Sequence, residues 1–235
     1  MKAVNKQDNG VQSRLLESAC EVFAEKGYRD ATVAEICERA GANIAAVNYY
    51  FGSKETLYVK AWSLAFDQSL QAYPPDGGVP ADAPAEQRLH GRILAIMRRF
   101  ADPKSHEFEI IHKELANPTG VLAEVKRQSI EPLRRELKRI VRELLGEKAS
   151  EQQVLLCQMS IRAQCFDILI RERLRKASAD NGGGISLENI DIEVLAAHVT
   201  RFSLAGIREI RREIENGELT NVDVLDIDRT ENPVH

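Results

Sequence analysis

The 235-residue chain is 43% hydrophobic with a formal net charge of −4, which is enough apolar content for one large or two smaller domains. That acidic balance speaks against a protein that coats nucleic acid without regard to sequence. It leaves room for a small groove-reading module, because only the local face sets the field there. The first ten residues, MKAVNKQDNG, are polar, and no apolar run approaches the roughly 20 residues of a membrane span. Neither a signal peptide nor a membrane segment is expected, and a cytoplasmic location is. Cys20, Cys37, Cys157 and Cys165 sit in apolar periodic segments without a CxxC pair. They read as buried, reduced thiols rather than zinc ligands.

Helical periodicity runs through almost every segment and no alternating strand pattern stands out, so the expected fold class is all-α. Residues 11–26 place Val11, Leu15, Ala19, Val22 and Phe23 on one face, with Gly27 as the stop. Thr32 opens a second, short helix, and Glu35 has the spacing to complete a capping box. Gly41 tolerates the left-handed turn that ends it. Asn43 suits the cap of a third helix and Ser53 that of a fourth, running to about Ala72.

Residues 73–84, YPPDGGVPADAP, are too rich in proline and glycine for a helix and read as a flexible loop. Longer helices are expected beyond it, over 85–101, 105–116, 119–146, 150–177 and 191–216, with a glycine-rich loop at Asp180–Gly184. Pro132 should kink or break the third of these. The polar tail 221–235 closes the chain. The domain division read from this pattern is 1–58, with the fourth helix as connector, then the 73–84 loop, then 85–220.

Two short helices joined at Gly41 and held against the first helix make a helix-turn-helix. In the third helix Val47 and Phe51 are four apart and can face Ile36 and Ala40. That turns Ile44, Ala45, Asn48 and Tyr49 outward. A solvated face normally carries Lys and Glu; this one is small, apolar and amide. Each group suits a DNA major groove. Ala45 and Ala46 admit a close backbone, Ile44 or Ala45 can touch a thymine methyl, and Asn48 can pair twice with adenine. Tyr49 and Tyr50 can reach phosphates, which fixes register without reading sequence. Lys54 and Thr32, each at a helix start, offer further phosphate sites. Read from spacing alone, the same residues also suit an ordinary bundle with both tyrosines in its core. Residues 1–60 hold eight basic and eight acidic side chains, so positive charge would have to gather at Lys2, Lys6, Arg14 and Lys54.

The run from Leu15 to Leu57 resembles the N-terminal domain of TetR-family transcriptional repressors. The likeness rests on Phe23, Gly27-Tyr28, Thr32-Val33, Ile36, Ala40-Gly41, Tyr50-Phe51, Lys54-Glu55 and Leu57, whose order and spacing hold over more than forty residues. Asn48 stands where that family often has tyrosine, Tyr49 where it often has histidine, and Asn43 replaces the usual serine cap. These departures bear on which operator is read, not on the mode of binding. The remainder, with HEFEIIHKELANPTG, is similar to the C-terminal domain of the CecR-like subgroup.

The resemblance implies a regulator of double-stranded operator DNA: a repressor released from a palindromic operator by a small apolar or amphipathic effector. The alternative is a regulator controlled by a partner protein. It also implies a homodimer and an effector pocket among the middle helices. Candidate pocket residues are Met97, Phe100, Phe108, Ile111, His112, Leu115, Leu133 and Phe166. Val199, Phe202, Ser203, Gly206 and Ile210 form a stripe that includes small residues, with Met159, Phe166 and Ile170 supplying bulk. These are the candidate dimer contacts, since small residues let helices approach. No cofactor is expected, and no metal, because His106 and His112 face different sides of one helix. No phosphate-binding loop or nucleophile elbow supports an enzyme.

Overall fold

The computed structural model describes residues 6–178 and 191–218, with side chains over 10–166 and 191–218. The expected loop at Asp180–Gly184 and the tail 221–235 lie outside the described residues. Within them the chain is all-α: α1 (Lys6–Asp30), α2 (Val33–Ala40), α3 (Ile44–Phe51), α4 (Lys54–Ala72), α5 (Ala85–Ala101), α6 (His106–Ala116), α7 (Ala123–Leu145), α8 (Glu151–Ser178) and α9 (Ile192–Asn216). No described helix is long and apolar enough to cross a membrane.

The helices pack as two units, Met1–Gly78 with Ala95–Arg134, and Val79–Leu94 with Arg135–His235. This division differs from the one the sequence suggests, because α6 and the first half of α7 pack with α1–α4. The first core joins Leu15, Val22 and Phe23 of α1 to Ile36 of α2, Val47 and Phe51 of α3, and Leu57, Tyr58 and Trp62 of α4. Ile110 of α6 and Leu122 belong to it as well. Truncating a buried aromatic such as Phe23 to alanine typically costs about 3–5 kcal/mol.

Gly27 does not end α1 outright. Its φ of 74° and ψ of 177° break the helix, and one further turn reaches Asp30. A Cβ there would sit in the strained left-handed region and 3.3 Å from the Lys113 Cβ on α6, so the residue must be glycine to let α6 lie against α1.

Helix α6 turns a different face inward from the one its apolar residues suggest. Glu107, Ile110 and Glu114 are buried, whereas Leu115 is 63% exposed. The reason is pairing across the unit. Arg99 Nη2 donates to Glu107 Oε1 at 2.5 Å with both side chains buried, and the guanidinium lies 5.3 Å from the Phe66 ring centre. Glu114 accepts from the Tyr58 hydroxyl at 3.2 Å, the Thr119 N–H at 3.0 Å, the Thr119 hydroxyl at 2.9 Å and the Gly120 N–H at 3.1 Å. A carboxylate is tolerated inside a core only when bonded this fully.

Of the kink or break expected at Pro132, the break does not form and α7 runs on through it. Pro132 and Gln128, whose carbonyl loses its donor, are both exposed, so water can take the place of the missing bond. The 73–84 segment is a succession of hydrogen-bonded turns: Gly77 N–H to Pro74 O, Ala83 N–H to Pro80 O, and Gly78 N–H to Asp76 Oδ1.

The second unit pairs α8 with α9. Val154, Cys157 and Ile161 of α8 and Leu195, Ala196, Val199 and Ile207 of α9 are buried. Arg88 on α5 donates to Glu143 on α7 at 2.5 Å, and His90 Nδ1 lies 3.0 Å from Thr200 Oγ1 on α9. All four cysteines are free and buried. Burial pushes the Cys20 and Cys165 thiols up to about 12, which keeps them protonated and inert.

Candidate nucleic-acid interface

Three caps build the region around α3. Thr32 Oγ1 accepts from the Glu35 N–H at 3.1 Å. The reciprocal half of the expected capping box does not form, because the Glu35 carboxylate turns to Lys26 at 2.7 Å and to Arg39. Gly41, at φ 59°, closes α2 in the left-handed region, and the Ala42 N–H reaches back to the Cys37 carbonyl at 2.9 Å. Asn43 Oδ1 accepts from the Ala45 N–H at 2.9 Å. Ser53 Oγ accepts from the Thr56 N–H at 3.2 Å. Each cap fixes where its helix begins, and so which residues face out.

Val47 and Phe51 of α3 are buried with Ile36 and Ala40, as the spacing requires. Ile44 is 51% and Tyr49 78% exposed; Ala45, Asn48, Thr32 and Asn43 are exposed too. Ala46 is half-buried rather than fully outward. It packs against the core, as does half-buried Tyr50, because both lie beside the Val47–Phe51 face. The two tyrosine rings meet edge to face at 4.9 Å, so Tyr50 braces Tyr49 from behind.

Lys54 Nζ sits 4.6 Å from the Tyr28 ring centre. The Tyr28 hydroxyl donates to Glu55 Oε1 at 2.6 Å. Burial, with the Glu55 carboxylate beside it, pushes Tyr28 up to about 12, while the bond from Tyr28 holds Glu55 below the usual carboxylate range. The negative charge therefore stays on Glu55, and Lys54 is fixed at the start of α4. Most other described cations nearby have own-chain partners: Lys26 with Glu35, Arg39 with Glu25 at 2.7 Å, Arg14 with the Ala40 carbonyl, and Arg29 with Asn117 and Pro118. The side chains of Lys2 and Lys6 lie outside the described residues.

An outward, uncharged helix preceded by a glycine turn and set against two others is the arrangement of a helix-turn-helix reader. The model of tetR-family bacterial regulatory proteins matches residues 15–61, and that of the C-terminal domain of the HTH-type transcriptional dual regulator CecR matches residues 85–207. The chain belongs to the TetR family, in its CecR-like branch. Over 155 residues it is 29% identical to the transcriptional dual regulator CecR of Shigella flexneri, covering 62% of this chain and 69% of that one. A fatty acid metabolism regulator protein of Bacillus subtilis is 26% identical over 96 residues, 41% of this chain and 47% of its own. In fold, a putative fatty acid metabolism regulator from Clostridium perfringens superposes with a TM-score of 0.63 at 18% identity, covering 82% of this chain and 97% of the other. This TetR-family protein is a DNA-binding transcriptional regulator and not an enzyme.

The regulator's other candidate residues fall in both units. Met97 is fully buried, Phe100 and Phe108 meet edge to face at 5.3 Å, and Phe108 stacks on His112 at 5.9 Å. Ile111 and Leu133 pack on the first core. Leu115 departs from the expected pocket set, since α6 turns it to solvent. Phe166 belongs to the second unit, with the Arg162 guanidinium 5.9 Å from its ring centre. Sequence reasoning missed three buried polar groups beside the aromatic set. Trp62 Nε1, Arg99 Nε and Glu107 Oε2 have no hydrogen-bond partner. Only their tertiary burial marks them, and no local spacing announces it.

On α8 and α9, Met159 is 53% and Phe202 64% exposed, Gly206 is exposed and Ile210 half-buried. Phe202, Gly206 and Ile210 border an open apolar groove of about 370 Å³, lined also by Leu156, Ser203 and Ile207. Leu155 and Leu156 are exposed as well and stand outside the expected set. Val199 corrects that set: it is buried within its own chain and serves that core. Phe166 is half-buried, and the Ile170 side chain lies outside the described residues.

Proposed function

We propose that this TetR-family regulator is a homodimeric repressor that holds a palindromic operator and releases it on binding an apolar or amphipathic small molecule. The observation that carries the reading is the presence, in one chain, of an uncharged outward face on α3 and an uncovered apolar face on α8 and α9. A solvated helix has no reason for either. A second copy seated on the α8–α9 face would carry a second α3, and two recognition helices read two half-sites about 34 Å, or a longer in-phase distance, apart.

Helix α4 is the candidate lever. It begins beside α3 at Ser53 and Lys54, and the Tyr58 hydroxyl ties it to Glu114 of α6. A ligand among Met97, Phe100 and Phe108 that favours a tilted α4 would spoil the half-site separation without touching α3. The coupling would typically be about 1–3 kcal/mol. The orphaned Trp62 and Arg99 donors suit an amphipathic guest, in keeping with the name of the Bacillus subtilis relative, a fatty acid metabolism regulator.

The test is a thermal-shift screen of the purified protein against medium- and long-chain fatty acids and apolar aromatic compounds, followed by operator release. A compound that both stabilises the protein and lowers operator affinity supports the reading. Release only by an added protein from the same cells would support control by a partner instead.

A further inference from the structure

We propose that the base pairs under α3 in each operator half-site are A·T pairs, read by Asn48 at adenine and by Ile44 and Ala45 at thymine methyls. This rests on α3 being the helix that enters the major groove. Each base pair presents its own pattern there. Guanine offers two acceptors, O6 and N7, and is read by two donors from Arg or Lys. Cytosine offers a donor that calls for a carboxylate. Adenine pairs an acceptor with a donor, and thymine adds a methyl.

The sequence of α3, IAAVNYYF, holds neither a cation nor a carboxylate. Its exposed groups are Ile44, Ala45, Asn48 and Tyr49. The Asn48 amide carries one donor and one acceptor on neighbouring atoms, the complement of adenine. Asn43 is the other exposed amide, but its oxygen is engaged in capping. Ile44 and Ala45 have nothing to offer a base except apolar contact, and the thymine methyl is the apolar group in the groove.

Among the described residues, the neighbouring cations do not supply a guanine reader. Arg39 is forked onto Glu25, with 2.7 Å and 2.9 Å bonds. Lys26 is on Glu35, Arg14 on the Ala40 carbonyl, and Lys54 lies over Tyr28. Reaching guanine would break each arrangement. The exposed Tyr49 hydroxyl is assigned a phosphate, a contact that fixes register and not sequence.

The experiment is selection of binding sites from random duplex DNA by the purified full-length protein, followed by base analogues in the selected site. The half-site is expected to hold adjacent A·T pairs at the protected centre. Uracil in place of thymine there, which removes only the methyl, should weaken binding by the wild type and have less effect on Ile44→Ala. 7-Deazaadenine, which removes N7, should weaken the wild type about tenfold and leave Asn48→Ala unaffected. Invariant G·C pairs at the protected centre, or analogues without effect on the wild type, would overturn the proposal while leaving α3 as the reader. A selected site and affinity unchanged in both Asn48→Ala and Ile44→Ala would instead overturn the role of α3 itself.

Discussion

The α3 face and the α8–α9 face break the same rule, that an exposed helix surface carries charge, and they break it with different chemistry. On α3 the exposed groups keep hydrogen-bonding capacity, in the Asn48 amide and the Tyr49 hydroxyl, between the small Ala45 and the apolar Ile44. On α8 and α9 the exposed groups include Leu155, Leu156, Met159 and Phe202, and the groove that holds Phe202 and Gly206 is edged by Gln153, Ser160 and Gln164. Nucleic-acid bases demand hydrogen-bond partners at the point of contact, whereas a protein interface centres on an apolar core with a polar rim. An uncharged helix face therefore signals an occupant, and the residual polarity says what kind.

The largest effect expected from this contrast comes from Gly206→Glu. A Cβ at Gly206 meets nothing within 4 Å in its own chain, so the fold should tolerate the change. A dimer would bury two like charges in a dry seam, at a cost on the order of 3–5 kcal/mol. Sedimentation should report monomers with an intact thermal transition and lost operator binding; an unchanged dimer mass would move the interface elsewhere. Asn48→Ala should follow, weakening specific binding by about 1–3 kcal/mol and relaxing base preference at one position per half-site. A loss equal for every sequence would show that Asn48 does not read a base.

Tyr58→Phe should be milder. Glu114 keeps its three bonds to Thr119 and Gly120, so stability should fall by about 0.5–1.5 kcal/mol. If α4 is the lever, operator variants with altered half-site spacing will be discriminated less sharply by this variant; an equal loss at all spacings would mark a merely structural hydroxyl. Lys54→Ala should have the smallest effect, weakening all sequences alike and lowering the slope of log affinity against log salt by about 0.9 for each phosphate the protein no longer neutralises. An unchanged slope would place Lys54 off the backbone.

The two faces also differ in how far the sequence announces them. Thr32, Asn43 and Ser53 mark helix starts by local chemistry, and each accepts the bond its type predicts. With the starts fixed, the outward residues of α3 follow from periodicity. What stays hidden depends on partners distant in the chain. Glu107 and Glu114 are buried because Arg99, Tyr58 and Thr119 meet them, so α6 shows Leu115 to solvent against the reading of its apolar residues. Val199 reads as a contact to a partner copy and belongs to its own core, since a stripe of apolar residues does not say which of them its own chain covers. Pro132 leads one to expect a kink or a break in α7; the break does not form, because its side of the helix is exposed.

The central claim, a dimer reading DNA through α3, meets its most direct test in footprinting of the purified protein on DNA beside its own gene. Two protected half-sites related by a twofold axis are predicted, both needing about ten- to hundredfold more protein in Asn48→Ala and both lost in Gly206→Glu. A single protected half-site, or protection that survives both changes, would contradict it.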